Sequence, residues 1–332
     1  EKLLWEIPGV EYVYSTSRSG QSMVVVRYYV GEDEEDSILK TYNKLYSNFD
    51  IIPPGVSRPI VKPRSIDDVP VIALTFWSDH YDEYMLRRIA AEVENAVKSI
   101  DDVSETLLIG GLRRELKVAL FPDRLAAFGV TAGGVLETLK GANKRLPSGG
   151  ILEQNRHVLV ETGSFFQGPD DVGAVVISAL DGRPVYLRDV AQVVDGPEEP
   201  RNYVRFGLGA ASTSNRSMLP GGQTFSSVTL SVAKRKGKNA IDVADRVLAK
   251  VESLKGRVIP SEVQVAVTRN YGETAAEKSN ELLFHMGLAT LSVIVLIWFV
   301  LGGREASVVG IAIPVTLGLT LLVFYLYGYT LN

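Results

Sequence analysis

The sequence has no cysteine, and only three histidines, three tryptophans and four methionines in 332 residues. Without thiols there are no disulfides, no thiolate nucleophile and no zinc–thiolate site. His80, His157 and His285 fall on separate predicted elements, so no metal-ligand spacing exists. The methionines are too scattered to form a soft-metal ladder. Charge of one sign is also missing: 35 Lys and Arg stand against 39 Asp and Glu, a net of −4, without the basic footprint that nucleic acid requires. The only basic cluster, Lys234-Arg-Lys-Gly-Lys238, lies between a predicted strand and a predicted helix, lacks interleaved aromatics and reads as a solvated turn. Gly207-x-Gly209 begins like a dinucleotide loop, but Ser212 replaces the third glycine and no helix opens behind it. No nucleophile meets a base, so no cofactor or enzymatic chemistry is implied.

What the chain does contain is two long apolar runs near its end. Leu282–Leu301 and Ala306–Tyr327 carry no Asp, Glu, Lys or Arg, and each is about twenty residues, the length a helix needs to cross a bilayer. Core helices of a soluble protein usually keep a polar face; these are apolar all round, which predicts two transmembrane helices. The residues between them, Gly302-Gly303-Arg304-Glu305, allow only a tight turn, giving an antiparallel hairpin. Pro314 and Gly318 are tolerable inside such a span, and Tyr325, Tyr327 and Tyr329 suit an interfacial aromatic belt. His285 reads as an interfacial side chain facing headgroups rather than a proton carrier. Gly272–Glu281 runs without a breaker into Leu282, which predicts one continuous helix from the soluble part into the membrane.

The rest of the chain suffices for two or three small domains. It opens on Glu1-Lys-Leu-Leu-Trp-Glu-Ile-Pro-Gly9, the last turn of a helix without an initiator Met, so the chain reads as an internal piece of a longer membrane protein. Residues 10–14 and 22–30 are strand-like around a Ser/Gly-rich stretch at 15–21. The acidic block Glu32–Asp36 precedes a helical pattern ending at Pro53-Pro54-Gly55, and reads as a solvated first turn complementing the helix dipole; residues 53–65 form a Pro-rich connection. A strand (71–77), a helix (86–100) and a strand (103–109) follow. A matching unit recurs at 227–233, 240–254 and 262–268. Two βαβ units of this size predict a split βαβ, ferredoxin-like α+β sandwich with one sheet and both helices on one face. Between them lies an inserted α+β segment: a strand at 115–120, a helix at 131–142, a turn at Leu146–Gly150, a strand at 156–161, and strands 175–177 and 185–187 joined by Asp181-Gly182. Residues 207–224, poor in apolar side chains, read as a mobile loop.

This order of parts resembles the N-terminal half of resistance-nodulation-division (RND) efflux pumps of the hydrophobe/amphiphile class. The local sequence agrees: Glu6-Ile-Pro-Gly-Val10 with Glu11-Tyr-Val-Tyr14, Phe121-Pro-Asp-Arg-Leu125 before Gly129-Val-Thr131, Leu187-Arg-Asp-Val-Ala191, Arg269-Asn-Tyr-Gly-Glu273 and Ile313-Pro-Val315. The resemblance covers essentially the whole chain. It implies a proton-driven antiporter exporting small amphiphilic compounds, working as a homotrimer in the bacterial inner membrane with its soluble part in the periplasm, beside a periplasmic adaptor and an outer-membrane channel. It implies that residues 1–67 are most of a first porter subdomain, 68–112 and 196–272 a second, 113–195 an inserted funnel (docking) subdomain, and 273–332 two membrane helices. It also implies a substrate path near Val69, Ile109, Asn202 and Tyr203. Val69 and Ile109 stand where the family has phenylalanines, so an aliphatic wall replaces an aromatic one. The inserted arm, about 143–156, is short for the family, implying a weaker grip on a neighbouring subunit. The family's paired aspartates for the proton relay belong to a fourth membrane helix, outside residues 1–332. A metal-exporting relative and a non-transporting protein-export or scaffold component share this architecture and remain alternatives; an enzyme with a membrane anchor is a third.

Overall fold

The structure, a computed structural model, describes residues 1–65, 68–153, 156–207, 209 and 224–327. Its first part holds α1 (Lys2–Trp5), the hairpin β1 (Val10–Arg18) and β2 (Gln21–Tyr28), and α2 (Glu34–Tyr46). The hairpin runs further than the sequence suggests. Its ladder continues to Arg18↔Gln21 and leaves only Ser19-Gly20 to turn, so most of the stretch expected to be a loop is strand. The acidic block does begin a helix: Asp33 caps α2, its side chain accepting the amide of Asp36 at 3.0 Å. That helix stops at Tyr46 and is followed by a 3-10 turn, Phe49–Ile51, before Pro53.

The central body begins with β3 (Ile72–Trp77), α3 (Glu83–Lys98) and β4 (Val103–Ile109). The chain then leaves through β5 (Arg114–Leu120), α4 (Pro122–Ala127), α5 (Ala132–Ala142), β6 (Leu146–Glu153), β7 (Arg156–Thr162), α6 (Pro169–Gly173), β8 (Val176–Leu180), β9 (Arg183–Tyr186) and α7 (Leu187–Val190). It returns along β10 (Ala191–Pro197), antiparallel to β5 from Ala191↔Leu120 to Pro197↔Arg114. The residues between have their own core, with Val135, Val172, Val185, Leu187 and Val190 buried together. Leu146–Gly150, expected as a turn, is instead part of β6, which pairs with β7. A register shift between Pro147 and Gly149 lets turn-forming residues join an exposed two-stranded ladder. Leu187, expected in a strand, opens α7, because Asp189 folds back to accept the amide of Tyr186 at 2.8 Å.

The central body resumes with β11 (Arg205–Gly207), β12 (Thr224–Lys234), α8 (Ala240–Leu254) and β13 (Gln264–Asn270). Of the loop expected over 207–224, residues 208 and 210–223 lie outside the described residues; its two ends, Gly207 and Thr224, are paired strand residues. β12 pairs antiparallel with β3 on one side and with β4 and β11 on the other, and β13 pairs antiparallel with β3. The spatial order β4-β12-β3-β13 thus interleaves the two βαβ units in one sheet. The register puts Leu74, Leu108 and Leu230 side by side, with Phe76 beside Val228 and Ile72 beside Val232. Against this stripe pack Leu86, Ala90, Val93 and Val97 of α3 and Val243, Ala244, Val247 and Val251 of α8, so both helices share one core on one face. Their spacing is that of an amphipathic helix.

β13 leads directly into α9 (Tyr271–Val300), followed by α10 (Gly303–Leu326). Both are long and apolar enough to cross a membrane, and their apolar windows are not covered by the rest of the protein. The turn is shorter than expected, since α10 already begins at Gly303. At about 1.5 Å per residue α9 is about 45 Å long, more than the roughly 30 Å of a hydrocarbon core; its first turns, with Glu273, Glu277, Lys278 and Glu281, therefore stand outside. Tyr329 lies outside the described residues.

Candidate functional site

Residues alternate across a strand, so the positions between the core residues form the second face of the central sheet. Leu107 and Ile109 of β4, Phe206 of β11, Phe225, Ser227 and Thr229 of β12, and Thr75 and Trp77 of β3 belong to it by register. Three hydroxyls bind one another across its middle: Thr75 Oγ1 lies 2.9 Å from Thr229 Oγ1 and 3.1 Å from Thr268 Oγ1. Toward the Trp77 end the face becomes aromatic. The Trp77 ring stacks on Phe206 at 5.3 Å and meets Phe225 at 5.0 Å in a tilted contact, arrangements that suit the ring quadrupoles. Beneath them Ser227, fully buried, has a hydroxyl with no hydrogen-bond partner, although its amide donates to Val204 O at 3.1 Å.

The four residues expected along a substrate path, Val69, Ile109, Asn202 and Tyr203, divide into two groups. Ile109 ends β4 beside Thr229. The next residue, Gly110, is packed so closely on Val204 that a β-carbon there would lie 2.6 Å from its Cγ2. Asn202 and Tyr203 immediately precede Val204, so Ile109, Asn202 and Tyr203 gather at one end of the sheet. Val69 lies at the other end, two residues before Val71, whose amide donates to Val232 O at 2.8 Å. Thr229 and Val232 are three ladder positions apart, about 10 Å along the strand. Side chains at both ends are accessible, with Val69 40 %, Ile109 44 % and Tyr203 63 % exposed. Trp77, Phe206 and Phe225 did not emerge from the sequence as a group. The signal was faint, since β11 has only three residues and the strands that meet are far apart in the chain.

The Ile109 end is also the root of the inserted segment, where charges are paired. Arg114 grips Asp195 with two bonds, Nε to Oδ1 at 2.8 Å and Nη2 to Oδ2 at 2.5 Å, and Lys117 meets Glu199 at 2.7 Å. Hydrogen bonding to these cations holds both carboxyls below their ordinary pKa. Arg87 reaches back from α3 to the carbonyl of Gly110, and burial lowers its pKa.

The basic turn at 234–238 is tied down rather than free. Asp102 takes Lys238 and Arg246, each at 3.1 Å, its backbone oxygen accepts the Arg235 amide at 2.8 Å, and Lys236 reaches Glu34 of α2 at 3.8 Å. Among the described residues no cluster of His, Asp or Glu could hold a metal ion. Two recesses among the described residues lie away from the aromatic face. One is an apolar groove of about 400 Å³ between α9 and α10, beside Ile294, Trp298 and Gly310; the other is a cleft of about 640 Å³ near Thr138, Phe166 and Asp171.

The central sheet, with its partly aromatic second face, thus continues through its last strand into a helix long and apolar enough to cross a membrane. The sequence model of the AcrB/AcrD/AcrF family matches residues 1–332, and the chain belongs to that family of RND multidrug efflux transporters, which are transporters rather than enzymes. Multidrug resistance protein MdtC of Yersinia pseudotuberculosis serotype O:1b (strain IP 31758) and MdtC of Yersinia pestis are each 25% identical over 335 residues, covering 100% of this chain and 31% of the relative. The chain thus spans about a third of the length of these relatives.

Proposed function

We propose that this chain forms part of a proton-driven antiporter that exports amphiphilic organic compounds by alternating access. Residues 1–67 serve as one porter subdomain, 68–112 with 196–272 as a second of split βαβ form, and 113–195 as a docking subdomain. The assembly is a homotrimer in the bacterial inner membrane, meeting a periplasmic adaptor and an outer-membrane channel. Arg304, in the first turn of α10, favours a cytoplasmic position for the α9–α10 connection under the positive-inside tendency, which puts the soluble body on the periplasmic side.

The observation that carries this reading is the absence of a linker between sheet and membrane helix. Asn270 is the last residue of β13, paired with Ile72, and also the cap of α9, its Oδ1 accepting the Glu273 amide at 3.2 Å. Motion of the helix is therefore passed directly to the sheet, as alternating access requires. Substrate meets the second face: Trp77 and Phe206, both partly exposed and backed by the buried Phe225, offer stacking surface that the aliphatic Val69 and Ile109 do not, and Asn202 and Tyr203 border the same end. The proton relay belongs to chain beyond residues 1–332.

The test is transport by the full-length protein in proteoliposomes. Export of a cationic amphiphilic dye that depends on an imposed pH gradient is the expected result. A scaffold component would give no gradient-dependent flux, and a metal exporter would move metal ions but not the dye.

A further inference from the structure

Gly272, the second residue of α9, is buried. A β-carbon placed there would lie 2.9 Å from Cβ of Ala244, 3.0 Å from the carbonyl oxygen of Ala240 and 3.1 Å from Cα of Ile241. Real β-carbons essentially never come within 3.0 Å of another heavy atom. Gly272 is not among the residues with positive φ, so space rather than backbone conformation demands glycine. Here α8 and α9 approach backbone to backbone.

Neither partner is free to yield. The Tyr271 amide donates to Val71 O at 2.8 Å, fixing the start of α9 to the start of β3. On the other side, the Asn239 side chain accepts the Ile241 amide at 2.9 Å, and Arg246, one turn on, is held by Asp102. A methyl group inserted at Gly272 therefore has to be accommodated by tilting α9 against α8. A tilt of about 5° at the base of a helix of about 45 Å moves its far end by about 4 Å.

We propose that the Gly272–Ala244 contact is the coupling joint of the transporter, and that side-chain volume there sets the tilt of α9 and the rate at which conformational change passes between membrane and sheet. Gly272 is a positioning residue that touches no substrate. The inference rests on the efflux reading, so its test has one arm that depends on transport and one that does not.

In the first arm, full-length protein in proteoliposomes exports a cationic amphiphilic dye under an imposed pH gradient. Gly272→Ala lowers the maximal rate by about five-fold or more and leaves the half-saturating concentration unchanged, as expected for a residue outside the binding face. Exchanging the two residues, Gly272→Ala with Ala244→Gly, removes the 2.9 Å contact but not those to the Ala240 carbonyl oxygen and Ile241 Cα, and so raises the rate part of the way back toward wild type. A wild-type rate in the single variant, or an exchange no faster than the single variant, overturns the proposal. In the second arm, spin labels at Ala249 on α8 and Val300 at the far end of α9 report the tilt directly. The single variant changes their separation by at most about 4 Å and the exchange brings it back toward the wild-type value; an unchanged separation overturns the joint whether or not the protein transports. Absence of gradient-driven export by the wild-type protein overturns the efflux reading instead, and the label distances still decide the joint.

Discussion

The Trp77 indole stacks on the Phe206 ring with centroids 5.3 Å apart, at the edge of the face on which Ile109 also lies. Trp77→Ala removes the largest ring of this cluster, and a stacked aromatic is worth about 0.5 to 1.5 kcal/mol beyond its buried area. The expected outcome is a rise of about three- to ten-fold in the half-saturating concentration of an aromatic amphiphile, with the maximal rate retained. Trp77→Phe keeps most of the affinity. Dye-efflux titration checks both; an unchanged half-saturating concentration in Trp77→Ala removes the cluster from the substrate path.

Leu230 occupies the central strand between Leu74 and Leu108 and is fully buried. Leu230→Ala leaves a cavity under both α3 and α8, and destabilises the protein by about 3 to 5 kcal/mol. Denaturation in detergent measures the loss. A cost under about 1 kcal/mol would mean that the sheet and its helices do not share one core.

Gly111 adopts φ +68°, and a β-carbon there would lie 2.7 Å from Arg87 Cβ and 2.8 Å from the Glu83 carbonyl oxygen. Gly111→Ala adds strain to crowding at the root of the inserted segment and costs at least about 2 kcal/mol. The expected signature is a lowered thermal midpoint. A midpoint equal to the wild type would show that this root is pliable.

Asp102 has its pKa lowered by hydrogen bonds from Arg246 and Lys238. The folded state holds the proton less tightly than the unfolded chain, so the clamp stabilises fully above the ordinary carboxylate range and is lost as pH falls through the lowered value. Asp102→Asn is therefore less stable than wild type at pH 7, and the difference closes below about pH 4. The clamp is partly exposed, so the effect is small and salt-sensitive. Thermal midpoints of both proteins across pH test the sign; a gap that widened in acid would contradict it.

Much of the fold was legible because local and long-range signals coincide. Residues 240–254 have a capping Asn239 and apolar side chains at helical spacing, and α8 has those bounds; β4 likewise matches 103–109. β6 was missed because Pro147, Gly149 and Gly150 favour turns, and only pairing with β7 makes that segment a strand. β10 was missed for a related reason, since Asp195-Gly196-Pro197 reads as a boundary and its partner β5 lies far back in the chain. The aromatic face depends on register, which sets Phe206 against Phe225 and Ser227 against Trp77, and register across distant strands leaves no mark on any single segment. The separation of Val69 from Ile109 is hidden for the same reason. The continuity of α9 from Tyr271 to Val300 was legible because Gly272–Glu281 contains no proline and Asn270 is a good cap.

Hydrogen exchange across residues 271–281 in the full-length protein, held in a membrane, tests most directly whether sheet and membrane helix move as one body. Amides beyond the first turn of α9 are expected to exchange as slowly as those of α8, because the helix is continuous and its base is fixed to β3 and α8. Exchange at the rate of an unstructured chain would reveal a flexible linker there and contradict direct transmission between them.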